Sequence, residues 1–552
     1  MKRFELLFML LVFLIPLSCG KDDVTVESES FELTEVRIDG ENVLSRQYKD
    51  VDPKVPISLL FSGPVDKSTV ASNIEILTDS GSQISLSFSY EDRDCLVKVQ
   101  PVSELRTFST YKLNVWPSLK TEKGTVLSSG WTIDLLTGMD MRDKFERIPD
   151  DVLMDKVQQQ TLRYFWDLGH PVSGMARERS TSSDIVTIGG TGFGIMAMIV
   201  GAERKMIDRD DVVERIQKIV TFLKENCTSY HGAYAHWLNG TTGITVKFSD
   251  KDNGADLVET SFLFQGLLTA RQYFKNQTIE EKQLRQDITE LWKAVDWNWF
   301  RKNGENRLYW HWSPEFGWEM NMPIGGWNEC LITYILAASS PVSPISKEVY
   351  TEGWAHNGEI RNGNVYYDYI LPLGNANGGP LFFTHYSFLG LNPKGLHDSF
   401  ADYWTQNKNH ALINYNYCVH NPKGYVGYSE NCWGLTASDG DKGYSAHSPD
   451  NDLGVIAPTA ALASMPYTPE QSMQALHYFY YKLGDKLWKE YGFVDAFNLS
   501  TKWFDNQFLA VDQGPIVVML ENYRSGLLWK LFMSCPDIQK GLDRLGFQYM
   551  IP

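Results

Sequence analysis

Residues 151–168 read DVLMDKVQQQTLRYFWDL, and apolar side chains recur here at the spacing of an amphipathic α-helix. The positions that carry the pattern are Val152, Val157, Leu162, Phe165 and Leu168. Comparable stretches continue to the C-terminus, and they predict about twelve helices of ordinary length in residues 151–552. The others lie near 191–204, 209–226, 256–275, 279–300, 326–339, 346–356, 381–391, 396–419, 456–464, 469–490 and 514–534.

Long segments rich in Gly, Trp, Asn and Asp separate these helices, notably 228–255, 301–325, 357–380 and 424–455. Loops of this length in a compact domain are usually functional. The chain shows no fixed-period repeat, which argues against a solenoid. The sequence therefore predicts a mostly α fold, an (α/α)6 toroid with a funnel-shaped cleft at the loop end.

Upstream, residues 24–137 contain short alternating runs broken by Gly, Pro, Asp and Ser, which predict a small antiparallel all-β sandwich. Within them, 57–73 resembles the bacterial Ig-like domains that precede many surface hydrolases. The polar segment 138–150 is the predicted linker. The favoured role of the sandwich is a spacer that holds the rest of the chain off a membrane, and glycan binding is the alternative.

At the N-terminus, residues 1–18 combine two early basic residues with a short apolar run, as in a lipoprotein signal peptide. Cys19 would then carry the lipid and be the only link to a membrane. The acidic stretch 21–23 resembles the surface-export signal of Bacteroidetes lipoproteins. We expect an outer-membrane lipoprotein at the cell surface, with the periplasmic face and an ordinary secretory signal as alternatives.

Composition narrows the choice of partner. The chain has a net charge of −17 and 13% aromatic residues, including 17 Trp. Nucleic acids and anionic membrane surfaces attract basic proteins, so neither is expected as a partner. A neutral substrate that stacks on rings is favoured. No cofactor or metal is expected: the chain lacks H-E-x-x-H, and 250–254 begins like a calcium loop but lacks its later ligands. The dispersed cysteines favour buried thiols over disulfides.

The first candidate acids are Asp252, Asp256 and Glu259, at the start of a predicted helix. Asp256 and Glu259 are three residues apart and so share one helical face. Carboxylates are stabilised near a helix N-terminus, so capping alone explains Asp252 or Asp256 equally well. Glu259 precedes the apolar run 262–264 and should point inward. A buried charge without partners is costly, which makes a functional role for Glu259 more attractive.

A second candidate segment, 308–329, is rich in indoles and acids. Rings with a few placed polar groups suit a sugar site. The predicted stacking and contact residues are Trp312, Trp318, Trp327, His311, Trp237 and Trp433. Glu329 begins the next predicted helix, and it is either a plain N-terminal acid or a general acid whose pKa the indoles raise.

Two later segments are weaker. Asp512 opens the last predicted helix, as an N-cap or as an acid of the cleft. The glycine-rich stretch 189–194 lacks the ending and the βαβ context of a phosphate loop, so we interpret it as close helix packing.

Residues from about 151 onward resemble the bacterial glucoamylase-like domain, glycoside hydrolase family 144. The matching stretches are 191–194, 252–259, 326–329, 512–515 and 521–522. The resemblance implies an (α/α)6 barrel that hydrolyses β-1,2-glucan with inversion, by endo action or by release of sophorose. It also implies functional acids at Asp252, Asp256, Glu259 and Glu329, and less firmly at Asp512.

An inverting glycosidase pairs a protonated carboxyl with a carboxylate that activates water. We assign Glu329 as the acid and leave the base open among Asp252, Asp256 and Glu259. Two alternatives remain. A polysaccharide lyase on a similar toroid would need basic subsites, and a non-catalytic glycan-binding lipoprotein would leave the inward carboxylates unexplained.

Overall fold

The computed structural model describes residues 30–43 and 45–550. The predicted signal peptide at 1–18 and the lipidated Cys19 lie outside these residues. The chain divides into two compact units, Met1–Asp140 and Met141–Pro552.

The first unit contains two five-stranded sheets with the strand orders β2-β1-β4-β8-β7 and β3-β10-β9-β5-β6. Its elements are β1 (Leu33–Ile38), β2 (Glu41–Asn42), β3 (Gln47–Val51), β4 (Ile57–Phe61), α1 (Lys67–Asn73), β5 (Ile74–Thr78), β6 (Gln83–Ile84), β7 (Leu86–Glu91), β8 (Leu96–Pro101), β9 (Thr110–Val115) and β10 (Trp131–Thr137). Alternate residues of β4 are buried, and they share one core with β5 and β9 from the other sheet. The predicted sandwich is confirmed, although β3 pairs with β10 in parallel rather than antiparallel.

The second unit is mainly helical. Its helices are α2 (Asp150–Trp166), α3 (Ile188–Glu203), α4 (Arg209–Glu225), α5 (Leu257–Tyr273), α6 (Ile279–Ala294), α7 (Leu331–Ser339), α8 (Tyr403–His420), α9 (Pro458–Ala463), α10 (Pro469–His477), α11 (Gly484–Leu487), α12 (Ala510–Arg524), α13 (Leu527–Met533) and α14 (Pro536–Leu545).

Short strands lie between the helices. They form two-stranded sheets and one three-stranded sheet. They are β11 (Ile185–Thr187), β12 (Trp237–Asn239), β13 (Thr245–Val246), β14 (Ala255–Asp256), β15 (Leu308–Tyr309), β16 (His311–Trp312), β17 (Pro323–Ile324), β18 (Val365–Tyr366), β19 (Tyr369–Ile370), β20 (Ala437–Ser438), β21 (Ser445–Ala446), β22 (Trp488–Lys489), β23 (Gly492–Phe493), β24 (Phe497–Asn498) and β25 (Trp503–Phe504).

The helices form two concentric layers. Helices α3, α5, α7, α9 and α12 are buried on nearly every side, as expected of an inner ring. α3 packs on α5, α5 on α7, and α12 on both α9 and α3. The short helical turns at 381–388 lie between α7 and α9: Tyr386–Phe388 packs on α7, and Nε2 of His385 lies 3.0 Å from the hydroxyl of Ser464 at the end of α9. Amphipathic helices such as α4 and α6 lie outside the inner ring, and this confirms the predicted (α/α)6 toroid.

Glycine allows the inner helices to touch through their backbones. A Cβ at Gly192 in α3 would lie 2.1 Å from the Phe262 carbonyl oxygen of α5, and one at Gly266 would lie 2.2 Å from the Gly192 oxygen. No larger side chain fits at either position. The interpretation of 189–194 as close helix packing is thus confirmed.

The helix boundaries differ from the prediction in several places; for example, the predicted helix at 469–490 is α10, a π-helical turn and α11. The predicted helix at 346–356 is a single π-helical turn, Val349–Trp354, and the one at 381–391 consists of short 3-10 turns. The predicted helix at 514–534 is two helices, because Gly526 takes a φ of 69° between them. The prediction also missed α14, whose buried side includes Ile538, Leu542 and Leu545.

The six cysteines in the described part of the chain are free thiols, and Cys330, Cys418, Cys432 and Cys535 are buried. Among the residues described, none of the helices is long and apolar enough to cross a membrane.

Candidate active site

Most of the predicted acids lie at the N-terminal ends of inner helices. Asp256 is the N-cap of α5, and Glu259 lies in its first turn. Glu329 comes just before α7, and Asp512 lies in the first turn of α12. Because the partial positive charge of a helix is at its N-terminus, this end of the ring favours carboxylates.

Asp256 is fully buried and both of its oxygens have partners. Its Oδ1 accepts hydrogen bonds from the backbone N–H groups of Val258 (3.0 Å) and Glu259 (2.9 Å). Its Oδ2 lies 3.0 Å from Nδ1 of His236. Burial alone would raise the pKa of Asp256, but the His236 hydrogen bond and the charge of His311 outweigh it, so the pKa lies below its usual value. Asp256 is therefore ionised and held in place.

Glu259 reaches across to the start of α3. Its Oε2 accepts hydrogen bonds from the Gly189 N–H (2.7 Å) and the Thr187 hydroxyl (3.3 Å), while its Oε1 lies 4.0 Å from Nε2 of His236. A Cβ at position 189 would lie 2.6 Å from Oε2, so glycine makes room for the carboxylate. Burial raises the pKa of Glu259, and the positive charge of His236 opposes this rise. The predicted inward orientation is confirmed.

His236 lies between these two carboxylates, about a quarter exposed. Burial would lower its pKa, but the charges of Glu259 and Asp256 raise the pKa of His236 to about 9. The ring is therefore protonated at neutral pH and neutralises part of the carboxylate charge. The sequence analysis singled out Trp237 but missed this neighbouring histidine.

The indole-rich segment is joined to α5 by a short antiparallel pair. β14 and β16 place Asp256 opposite His311 and Ala255 opposite Trp312. Nδ1 of His311 lies 3.4 Å from Oδ2 of Asp252 and 3.8 Å from Oδ2 of Asp256. Burial opposes protonation of His311, yet these two carboxylates raise its pKa. The structure thus brings the predicted Asp252, Asp256, Glu259 and His311 together.

Glu329 faces the same group from the start of α7. Burial raises the pKa of the Glu329 carboxyl to about 7, and the negative charges of Glu259 and Asp256 act in the same direction. The Asn328 side chain caps the helix in its place by accepting the Cys330 N–H at 2.9 Å. The Glu329 carboxyl therefore titrates near neutral pH, within the electrostatic influence of two other carboxylates.

Tyr386 connects this group with Asp512. Its ring packs on Phe193 and Phe262, with centroids 5.0 and 5.6 Å away. The charges of Asp512, Glu329 and Glu259 all act on its phenol, whose pKa is raised first of all by burial. Sequence reasoning did not identify Tyr386, since a tyrosine within an apolar stretch has no distinguishing pattern.

Asp512 is 2% exposed and its carboxyl faces that of Asp495. Burial raises the pKa of Asp512 to about 7; the Asp495 hydrogen bond lowers it, and the charge of Asp439 raises it. Asp512 thus belongs to a different carboxylate group from Asp256 and Glu259.

The predicted aromatic residues divide into two sets. Trp312 and Trp318 are partly exposed and lie 5.2 and 4.8 Å, centroid to centroid, from Trp299. Trp237 is also partly exposed and packs edge-on against His236. These rings offer faces to a ligand.

Trp433 is completely buried, and Trp327 is 6% exposed against Phe388 and Tyr403. Both belong to the core, contrary to the expectation that they contact a substrate. Composition does not distinguish an indole that packs a core from one that lines a cleft.

His236, Asp252 and Asp256 bring one ligand-type atom each within 4.8 Å of the others, a spacing that a metal ion also requires. Here, however, each carboxylate lies against an imidazole, so the negative charge already has counter-charges. The arrangement suits proton transfer: a protonated carboxyl, an acceptor carboxylate and ring faces in one place.

Comparisons with known proteins place the chain among glucoamylase-like proteins. The family model Glycoamylase, described as "Putative glucoamylase", matches residues 321–536. An endo-β-1,2-glucanase from Chitinophaga pinensis, solved with sophorotriose and glucose, is 54% identical, with a TM-score of 0.72, covering 73% of this chain and 99% of that one. A β-1,2-glucanase structure from Parabacteroides distasonis is 39% identical, with a TM-score of 0.71, covering 94% of this chain and 73% of that one.

A curated protein of Parabacteroides distasonis, the "Exo beta-1,2-glucooligosaccharide sophorohydrolase (non-reducing end)", is 49% identical over 418 residues. The match covers 72% of this chain and 58% of that relative, so the chain spans less than two thirds of its length.

Proposed function

Because the chain belongs to the glucoamylase-like family, glycoside hydrolase family 144, we propose that it hydrolyses β-1,2-glucan or its oligosaccharides with inversion. The observation that carries the proposal is Glu329, because burial and the negative charges of Glu259 and Asp256 raise the pKa of its carboxyl to about 7. The similar proteins named above are described as enzymes that act on β-1,2-glucan or its oligosaccharides.

Glu329 is the general acid in this proposal. Its proton passes to the glycosidic oxygen as the bond to the anomeric carbon breaks, which leaves Glu329 as a carboxylate. A carboxyl with a pKa near 7 is well matched to proton donation at neutral pH. The partly exposed Trp312 and Trp318 hold the sugar rings by stacking.

Glu259 is the base in this proposal. Asp256 is the less available candidate, because both of its oxygens already accept hydrogen bonds within the protein. Glu259 keeps Oε1 on the side of the partly exposed His236. It removes a proton from the water that attacks the anomeric carbon, while Asp256 and protonated His236 fix its position.

Asp512 is the competing base, since the family resemblance also includes it. Azide separates the two: it attacks without a base, so it restores turnover only in a variant that lost the base. We expect azide to rescue Glu259→Gln and not Asp512→Asn. Rescue of Asp512→Asn alone would move the base to Asp512.

The activity is tested by measuring reducing ends released from β-1,2-glucan, with α-glucan and a uronate polymer as controls. We expect release from β-1,2-glucan only. Release from α-glucan, or products that absorb in the ultraviolet as unsaturated uronates do, would overturn the proposal in favour of another hydrolase or a lyase. Binding without any release would leave only a glycan-binding protein.

Product length separates the two modes of action known among the relatives. A solved relative is an endo-glucanase, and a curated one releases disaccharides from the non-reducing end. An early mixture of many lengths indicates endo action, and sophorose alone indicates exo action.

We also propose that Cys19 carries a lipid anchor at the outer membrane, with the β-sandwich as a spacer on the cell surface. The supporting observation is the leader-like composition of residues 1–18 followed by Cys19. Metabolic labelling with a fatty acid should mark the wild type and not Cys19→Ala, and protease added to intact cells should remove the protein. Protection from the protease would place it on the periplasmic face.

A further inference from the structure

A second group of acids lies in the loops of the large unit. Asp439 follows β20, Asp495 lies between β23 and β24, and Asp505 follows β25. One carboxylate oxygen from each lies within 4.8 Å of the other two. Asp439 lies 56 residues before Asp495, so the fold brings it to the other two.

The backbone holds these carboxylates in fixed orientations. Oδ2 of Asp495 accepts the Asp439 N–H at 2.7 Å. Oδ1 of Asp505 accepts the N–H groups of Asn506 and Gln507 at 2.7 and 3.1 Å. In both Asp495 and Asp505, one carboxylate oxygen accepts backbone hydrogen bonds and the other does not.

Oδ2 of Asp505 is buried and has no hydrogen-bond donor among the described residues, and Oδ1 of Asp495 has none apart from the hydrogen bond that Asp495 shares with the neighbouring Asp512. Asp495 and Asp505 are 2% and 7% exposed. A buried carboxylate oxygen without a donor or a counter-charge destabilises the folded state. Arg179 reaches the group, at 2.7 Å from Asp439, but it is shared with Glu178 at 2.9 Å. One shared positive charge does not neutralise four aspartates.

The spacing matches one bound ion. Ca²⁺ binds oxygen ligands at about 2.3–2.6 Å, so two ligands of the same ion lie at most about 5 Å apart. All the candidate ligands are carboxylate oxygens, which hard cations prefer over softer metals. Calcium tolerates an irregular set of ligands, whereas Mg²⁺ demands a near-ideal octahedron.

We propose that Asp439, Asp495 and Asp505 bind a calcium ion. The ion neutralises the buried aspartates and fixes the loops that carry them. This site is distinct from His236, Asp252 and Asp256, where imidazoles supply the counter-charge. The proposal does not depend on the glycosidase function.

Calcium binding is tested on the whole protein after removal of divalent ions with a chelator. Calcium chloride is added back, bound metal is measured by mass spectrometry, and the unfolding temperature is recorded. We expect a single ion per chain and an unfolding temperature higher by about 2–4 °C. Magnesium chloride should give a smaller shift. No bound calcium and no shift would overturn the proposal and leave protons as the neutralising charge.

Variants locate the ion. Asp505→Asn should abolish binding, and Asp439→Asn, at a less buried position, provides the same test if the first variant folds poorly. Asp252→Asn is the matched control, because it removes a carboxylate from the other trio, and it should retain the ion. Binding that survives both Asp505→Asn and Asp439→Asn, or that is lost in Asp252→Asn, would overturn the proposed location.

Discussion

The trio His236, Asp252 and Asp256 and the trio Asp439, Asp495 and Asp505 each gather ligand-type atoms within 4.8 Å, yet they balance their charge differently. The first has imidazoles against its carboxylates. The second has no imidazole partner among its three members, and Oδ2 of Asp505 is buried without a donor among the described residues. Glu329 illustrates a third solution, since burial makes its carboxyl keep a proton. How each buried acid is neutralised, rather than how closely acids cluster, separates a proton-transfer site from an ion site.

Glu329→Gln should have the largest effect on turnover, because it removes the proton donor while preserving the shape of the side chain. We expect kcat to fall by about 10³-fold or more, within the range of general acid catalysis combined with lost electrostatic stabilisation. Binding of β-1,2-glucooligosaccharides should persist in calorimetry. Near-normal turnover would show that the proton of Glu329 is not used.

His236→Asn should have the next largest effect, because it removes the positive charge between Asp256 and Glu259. The pKa of Glu259 should rise further, so we expect kcat to fall by about 10²-fold and the acidic limb of the pH profile to move to higher pH. The control is His477→Asn, a histidine on the surface that pairs with Asp150. An unchanged acidic limb would contradict the role assigned to His236.

The stability of the fold should also report the proton on Glu329. Its pKa rises from 4.5 to about 7 on folding, so the folded state binds this proton more tightly than the unfolded state does. The stabilising contribution of this proton to the free energy of unfolding is complete below about pH 4.5. It is lost as the pH rises through about 7, and it amounts to about 1.4 kcal/mol per pKa unit.

Glu329→Gln removes this loss, so the variant should match the wild type in urea unfolding near pH 4.5 and exceed it by about 1–3 kcal/mol at pH 8. The buried charge of a deprotonated Glu329 is the physical reason. A constant difference between the two proteins from acid to alkaline pH would contradict the raised pKa.

Trp312→Ala should have the smallest effect, because it removes one ring face and no charge. We expect KM to rise by about 10-fold, consistent with about 1–2 kcal/mol for a stacked ring, with a smaller change in kcat. Trp433→Phe, a conservative change at a completely buried indole, should leave KM unchanged. If Trp312→Ala and Trp433→Phe raised KM equally, the assignment of Trp312 to the cleft and of Trp433 to the core would be wrong.

Local patterns in the sequence predicted the helix-borne acids. The spacing of Asp256 and Glu259 placed both on one face of α5, and the apolar run after Glu259 predicted its inward orientation. Glycines at 189–194 predicted close packing, which the contact of Gly192 with Phe262 confirms.

Other features depend on contacts between distant segments. His236 faces Asp256 from a loop twenty residues upstream, and Asp495 and Asp505 lie beside strands of only two residues. Neither helical nor strand periodicity extends over such loops, so no sequence pattern marks these groups.

The two-residue pairing of β14 with β16 ties the indole loop directly to the start of α5. A further backbone hydrogen bond of 2.9 Å runs from the Leu257 N–H to the Trp310 carbonyl. A chimaera that takes the indole loop from a relative must therefore keep this backbone pairing. Without it, Asp256 would move even if every acid were retained. The loop and the first turn of α5 should be exchanged together.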